Sequence, residues 1–536
     1  MTKKILSLIL VFALALFVVA CTVVTDTTEP PASGEDPQVT TPPDNGGNMP
    51  PPELPSGPRY ENPDIDNPRV RETGQTSGDW QFTLYTDNTI AITGFSGEGG
   101  IVTVPATIDS RTVRSIGWRA FYRRDDITRV NLPASLTEVY ALGFYRMTNL
   151  THVNLDNVQS IGYRAFTGAA RLEAISIPSL TEVGTAAFRY AFSVQQLIVP
   201  GGLEYMGNAA FSYMVTLREL VIENGLDAIA SWAFVGNSMV TTLTIPNSVE
   251  TIGFGAIARF GLLRTLTVPF TGQSVDSHNS ALAFAFGETD VLRTVPDVPS
   301  SLHTVTITHP NGLGVNAFRN LSNVRTVNLP SEITSIPNHA FRGSGLSSVN
   351  LPNSVASIGT MAFNGASNLT SVSLPTTTTY SVGSAAFIGT PWIATRGTFP
   401  VVNGALIGFN APANFDGNVV IPGNLGIRTI AGAFMDNTAI TRVVVPNGVT
   451  RITEQSFGRT TALNTIYLPL SLTHIDAFAF DFDSDAYINN RHFAGTEDQW
   501  IDLSGGLAGD LPVTIRPEGN MRLIQQLGSF NWNSTP

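Results

Sequence analysis

Few residues in this sequence are of a type that could carry chemistry, and their spacing argues against most of it. Seven histidines are scattered along the chain: His152, His278, His303, His309, His339, His474 and His492. None forms an H-x-x-x-H pair, and Cys21 is the only cysteine, so the ligand sets of zinc sites are absent. His152 falls at an exposed strand slot, and the other six read as loop residues. Asp481, Asp483 and Asp485 form a D-x-D-x-D run of the kind that ligates calcium. An EF-hand would want glycine at the sixth position and glutamate at the twelfth, where this chain has Ala486 and His492. A solvated turn is the expectation, and a calcium loop of another type is the alternative. Gly253 and Gly255 in GFGAIA hint at a phosphate loop, yet Gly253 falls where most units of an internal repeat keep a glycine. No G-x-S-x-G elbow, Walker loop or HExxH occurs. No catalytic residue, metal or cofactor is assigned, and the expectation is a protein that is not an enzyme.

Composition narrows the class. The chain has 536 residues, 43% of them apolar and only 13% charged, with a net charge of −12. Thr, Ser, Asn and Gly supply the polarity instead, a mixture that suits short strands and turns. A nucleic-acid partner is not expected, because neutralising phosphates requires clustered Lys and Arg. Lys3 and Lys4 are the only lysines, and nothing physical in the sequence explains why every other cation is Arg.

The two lysines open a signal-peptide pattern. Ile5 to Val19 is apolar apart from Ser7, and the run closes on Val18-Val19-Ala20-Cys21. The junction resembles a bacterial lipobox, with Val18 in place of the more usual Leu, which implies that residues 1–20 are removed and Cys21 is lipidated. Residues 21–75 are crowded with Pro, Asp, Glu, Gly and Thr and offer little to bury, so they read as a lipid-anchored, disordered tether.

The rest of the chain repeats itself. A Phe preceded by a small residue recurs at Phe121, Phe144, Phe166, Phe188, Phe211 and Phe234, then at Phe318, Phe341, Phe363 and Phe387, then at Phe434, Phe457 and Phe480. Gaps within each group are 22 to 24 residues, and Ile257 fills the slot after Phe234. Such a period means stacked units that bury a core only together. In the unit from Ile116, the segment ITRVNLP predicts a strand with one buried face, ended by Pro133, with Leu136 and Val139 turning the chain back. The pattern resembles the BspA-like leucine-rich repeat family of bacterial surface proteins, in its 23-residue variant, from about Trp80 to Trp500. The segment from Thr83 looks like that family's opening coil, and FAGTEDQW, Phe493 to Trp500, like its closing segment. The resemblance implies a leucine-rich repeat solenoid over residues 76–502, mostly short strands with little helix, followed by a tail or cap at 503–536. Irregular inserts near 270–314 and 391–423 are expected to bulge as loops.

What remains informative is the outward side of the L-x-x-V-x-L strands. Five Arg and two Glu occur among its 36 positions, reversing the acidic excess of the whole chain. Arg129, Arg218, Arg264, Arg325 and Arg442, with Thr242, Asn328 and Tyr467, are the candidate ligand-binding residues. The resemblance implies a surface binding module for an extracellular protein or glycan, held to the membrane by its lipid. An envelope scaffold is the alternative.

Overall fold

The computed structural model describes residues 69–278, 280–290, 298–376, 379–476, 478–480, 490–503 and 514–515, within one unit spanning residues 57–536. Cys21 and the Asp481, Asp483 and Asp485 run lie outside the described residues.

Each repeat closes one coil, and each coil meets its neighbours through three hydrogen-bonded edges. The first is a row of parallel strands built from the L-x-x-V-x-L segments, paired in separate runs along the stack. Ile127–Asn131 pairs with Gly100–Thr103 on one side and His152–Val153 on the other, with Ile127 and Val130 buried and Thr128 and Arg129 outward. The same edge continues without a register shift from Thr242–Thr244 through Thr265–Val268 and Thr304–Ile307 to Thr326–Asn328. The second edge is a ladder of two-residue strands that the repeat pattern did not announce. Val139, expected only to turn the chain, sits in Glu138–Val139, paired to Ser115–Ile116 and to Ser160–Ile161. Two residues are too short a run for alternation to register. The third edge explains the marker pair. In coil after coil the N–H of the marker Phe donates to the carbonyl of the small residue one coil on, as Phe144 to Ala165 at 2.8 Å and Phe166 to Ala187 at 2.7 Å.

Inside these edges the markers stack into a column. Phe121, Phe144, Phe166, Phe188, Phe211 and Phe234 are fully buried, with successive ring centroids 4.8 to 5.9 Å apart and planes nearly parallel. Offset stacking of this kind adds to the burial of large apolar surface. The column resumes at Phe318, Phe341, Phe363 and Phe387, and again at Phe434, Phe457 and Phe480. The glycine that follows the second ladder lets the coils approach. A Cβ on Gly253 would lie 2.3 Å from the Ser231 nitrogen, and one on Gly255, at φ +65°, would enter the Trp232 ring. Both glycines of GFGAIA are therefore packing residues.

The two inserts join the stack rather than leave it. Leu302, Val305 and Ile307 are buried, and their strand Thr304–Ile307 lies in register between its neighbours. The 3-10 helix Leu282–Phe286 takes over the turn edge, with Ala285 accepting from Ile257 N–H at 3.0 Å and Leu282 donating to Ala317. In the second insert, Val401–Val402 and Ala405–Leu406 form a hairpin at Asn403-Gly404 whose second strand extends the short ladder. Asn418–Val420 rejoins the main sheet.

Both ends are closed. Val70–Ser77, part of the stretch read as tether, pairs antiparallel with Trp80–Tyr85, which pairs with Thr89–Phe95. Trp80 and Phe95 cover Phe121 at the end of the column. At the other end Thr496 and Gln499 exchange side-chain to backbone hydrogen bonds, a capping box that starts helix Glu497–Leu503. That helix lays buried Trp500 against Phe493. Among the described residues no helix is long and apolar enough to cross a membrane.

Candidate binding face

The outward positions of the main sheet form columns, because in-register parallel pairing places equivalent residues of successive coils side by side, roughly 4.8 Å apart. Arg218, Arg264 and Arg325 each immediately precede a strand, at Glu219–Ile222, Thr265–Val268 and Thr326–Asn328. Thr241, Arg264, His303 and Arg325 form one column, joined in that order by backbone bonds from Arg264 to Thr241, from His303 to Arg264 and from Arg325 to His303. Arg218 holds the equivalent slot one coil earlier, before a strand that pairs with Gln196–Val199 in a separate sheet. All five are exposed, and among the described residues the three guanidinium groups have no acidic partner.

His303 was missed as a site residue because the insert hid its register. The run L-H-T-V-T-I, Leu302 to Ile307, matches L-R-T-L-T-V, Leu263 to Val268, and would have placed it. Its Nδ1 lies 3.1 Å from the Asn323 carbonyl, leaving Nε2 for a ligand. Thr242 is exposed and pairs with Thr265 in the adjoining column. Asn328 is exposed and donates to Thr306 Oγ1 at 2.9 Å. Near Arg218, Ile198 and Val221 stand opposite each other and exposed, an apolar pair, and Ile101 is exposed beside Arg129 farther along the face.

The remaining candidates sit elsewhere. Arg129 is exposed but occupies the adjoining column, paired with His152 far along the stack from Arg264. His152 itself faces Glu173 at 3.5 Å. Arg442 is half-buried with its guanidinium 4.9 Å from the Tyr467 ring, and Tyr467 lies on His492 at 4.5 Å. Large side chains crowd this end of the sheet, and Val444, expected outward, is buried between Val420 and Tyr467. His474 and His492, read as loop residues, lie in strands instead. The coherent part of the candidate site therefore runs from Arg218 to Arg325.

Other chemistry is sparse. Burial first, then the Arg342 and Arg319 guanidinium groups, hold the His339 imidazole below its ordinary range, which keeps it neutral. Among the described residues no three His, Cys, Asp or Glu converge as a metal site would require. A cleft of about 120 Å³ beside the 3-10 helix is lined by His278, Ser280, Phe284, Glu288 and Asn316, among others. Small-molecule sites are usually larger, at about 300–1,000 Å³. Glu288 accepts from the Asp290 backbone N–H at 2.8 Å.

Comparison with known proteins gives one family. A model described as the BspA type leucine rich repeat region matches in six copies, over residues 104–190, 159–284, 299–400 and 426–494. No curated protein matches. Among solved structures, the chain is similar to a leucine rich cell surface protein from Faecalibacterium prausnitzii A2-165, at 25% identity over 81% of this chain and 98% of that one, TM-score 0.37. A leucine-rich repeat protein from Bacteroides ovatus ATCC 8483 is 17% identical over 82% and 99%, TM-score 0.36. The pneumococcal vaccine antigen PcpA is 16% identical over 83% and 100%, TM-score 0.30.

Proposed function

The chain belongs to the BspA-type leucine-rich repeat family, and from that premise we propose that it is a non-catalytic binding module of the bacterial surface. Its ligand is an extended segment of an extracellular protein carrying acidic groups. The observation that carries this reading is the column Thr241, Arg264, His303 and Arg325, with Arg218 in the equivalent slot one coil before it. Arginine offers a planar fork of donors suited to carboxylates, and a strand-spaced series of them suits a ligand lying along the stack. The exposed Ile198 and Val221 beside Arg218 favour a protein over a purely polar polymer. Each contact is exposed and individually weak, so affinity accumulates only when one ligand spans several coils.

The test compares two double variants for binding to immobilised extracellular-matrix proteins. Arg218→Glu with Arg264→Glu should weaken binding by about tenfold, and raising the salt should weaken it in the unmodified protein. Arg71→Glu with Arg428→Glu, exposed and off this sheet, should bind like the unmodified protein. Equal binding by the two double variants would remove the sheet from the reading.

Surface attachment belongs to the same proposal. Cys21, unique and placed after Val18-Val19-Ala20, carries the lipid, and residues from Cys21 toward the first strand act as the tether. Cys21→Ser should move the protein from the membrane to the soluble fraction. Unchanged detergent partitioning would contradict the anchor.

A further inference from the structure

A second face of the stack carries a denser array of donors than the sheet. It is the turn edge of the coils before residue 262. The turn segments 140–149, 162–171, 184–193, 207–216, 230–238 and 253–261 contain Arg146, Arg164, Arg171, Arg189 and Arg259 and no Asp or Glu, in a chain whose net charge is −12. The coil before them, 117–126, adds Arg119, Arg123 and Arg124 with Asp125 and Asp126, and Asp126 pairs with Arg124. Aromatic rings lie between the guanidinium groups. Tyr122 stacks on Tyr145 at 5.2 Å, Tyr190 meets Tyr213 at 5.4 Å, and Arg189 stands 4.6 Å and 5.3 Å from those two rings. Arg259 donates to the Tyr213 hydroxyl at 3.1 Å. In the later coils the tyrosines drop out: the turns 314–322 and 337–345 keep Arg319 and Arg342 without an acid, and beyond them Asp436 is paired to Arg459.

Backbone geometry separates this array from packing. The position two residues after each marker has positive φ in coil after coil. Five coils fill it with Gly168, Gly236, Gly343, Gly365 and Gly389, so the fold needs no side chain there. Five of the first seven coils fill the same position with Arg123 (φ +57°), Arg146 (φ +53°), Tyr190 (φ +67°), Tyr213 (φ +57°) and Arg259 (φ +60°), and three later coils with Asn320, Asp436 and Arg459. A left-handed conformation costs a non-glycine residue roughly 1–2 kcal/mol. Positive φ is general in these turns, recurring two residues before the marker at Leu142, Arg164 and Trp232, so it is the choice of Arg and Tyr where glycine serves elsewhere that points to a role outside folding.

We infer that this turn face binds a linear polysaccharide bearing carboxylate or sulfate groups. The ring faces are occupied by one another and by guanidinium groups, and the Tyr190 and Tyr213 hydroxyls accept from Arg189 and Arg259, so what the face offers a ligand is the remaining N–H donors of the exposed Arg123, Arg146, Arg171 and Arg259. That surface suits anionic and hydroxyl groups and gives bases little to stack on, unlike a single-strand nucleic-acid platform. Guanidinium donors spread over several coils match a polymer that repeats its anion, which an ordinary protein segment does not.

The test uses heparin and hyaluronan as probes, with dextran and single-stranded DNA beside them. The unmodified chain should bind at least one of the first two, more weakly as salt rises, and should not bind dextran. Arg123→Gly with Arg146→Gly should lower that affinity by about tenfold, while thermal stability holds or rises because glycine relieves the strain. Arg218→Glu with Arg264→Glu should leave it unchanged, which separates this inference from the proposed protein ligand. Three results would overturn it: no binding of either acidic polysaccharide, equal affinity in the glycine double variant, or DNA binding as tight as that of the polysaccharide and lost in the same variant.

Discussion

Gly207→Ala should destabilise the chain by about 3 kcal/mol, the upper part of the range for overpacking. Its amide donates to the Val183 carbonyl at 2.7 Å, which fixes where its Cα lies against the preceding coil. A Cβ there would stand 2.2 Å from the Thr185 nitrogen and 2.5 Å from the Gly184 carbonyl carbon. Both obstacles are backbone, so no rotamer change relieves them, and two coils must part. Gly202, in the same coil, has open space where its Cβ would go. Gly202→Ala should stay within about 0.5 kcal/mol of the unmodified protein. Urea unfolding of both variants reads the difference, and equal midpoints would mean that coil spacing is not set by this glycine.

Phe341→Ala should cost about 3–5 kcal/mol. The side chain is fully buried, with its ring 5.3 Å from Phe318 and 5.1 Å from Phe363, both nearly parallel to it. Its backbone N–H donates to the Ala362 carbonyl at 2.7 Å, so the main-chain edge survives truncation and the loss is that of the ring alone. The cavity cannot collapse easily, because the coils on either side are held at their spacing by three hydrogen-bonded edges. A variant that unfolds in urea like the unmodified protein would show that the column contributes little.

The column and the main sheet were legible because their signals are long and repeated. A buried Phe every 22 to 24 residues and an alternating strand are read from residue type alone. The short ladder was not legible: Glu138–Val139 is two residues long, and its pairing depends on neighbours one repeat away. The insert at 270–314 was misread for a related reason. The spacing from Ile257 to the next marker hid the match between Leu302–Ile307 and Leu263–Val268, and with it His303. Of the candidate site, the outward direction of Arg218, Arg264 and Arg325 was readable from their slot in the L-x-x-V-x-L repeat. The column through Arg264 and Arg325, and the separation of Arg129 and Arg442 from it, required the register. The turn face was visible as residues but not as a surface, because positive φ at Arg146 and Tyr213 is a property of the coil rather than of the local sequence.

All of this rests on the chain being a one-dimensional stack in which each coil is held by its neighbours, so that binding surfaces are columns along it. Backbone hydrogen exchange of Phe341→Ala against the unmodified protein tests that claim most directly. Exchange should rise in the coils from Phe318 to Phe387, where the column and edges pass through Phe341, while amides around Phe144 and Phe166 keep their protection. A uniform loss of protection along the chain would contradict the stack and indicate one cooperative globular core.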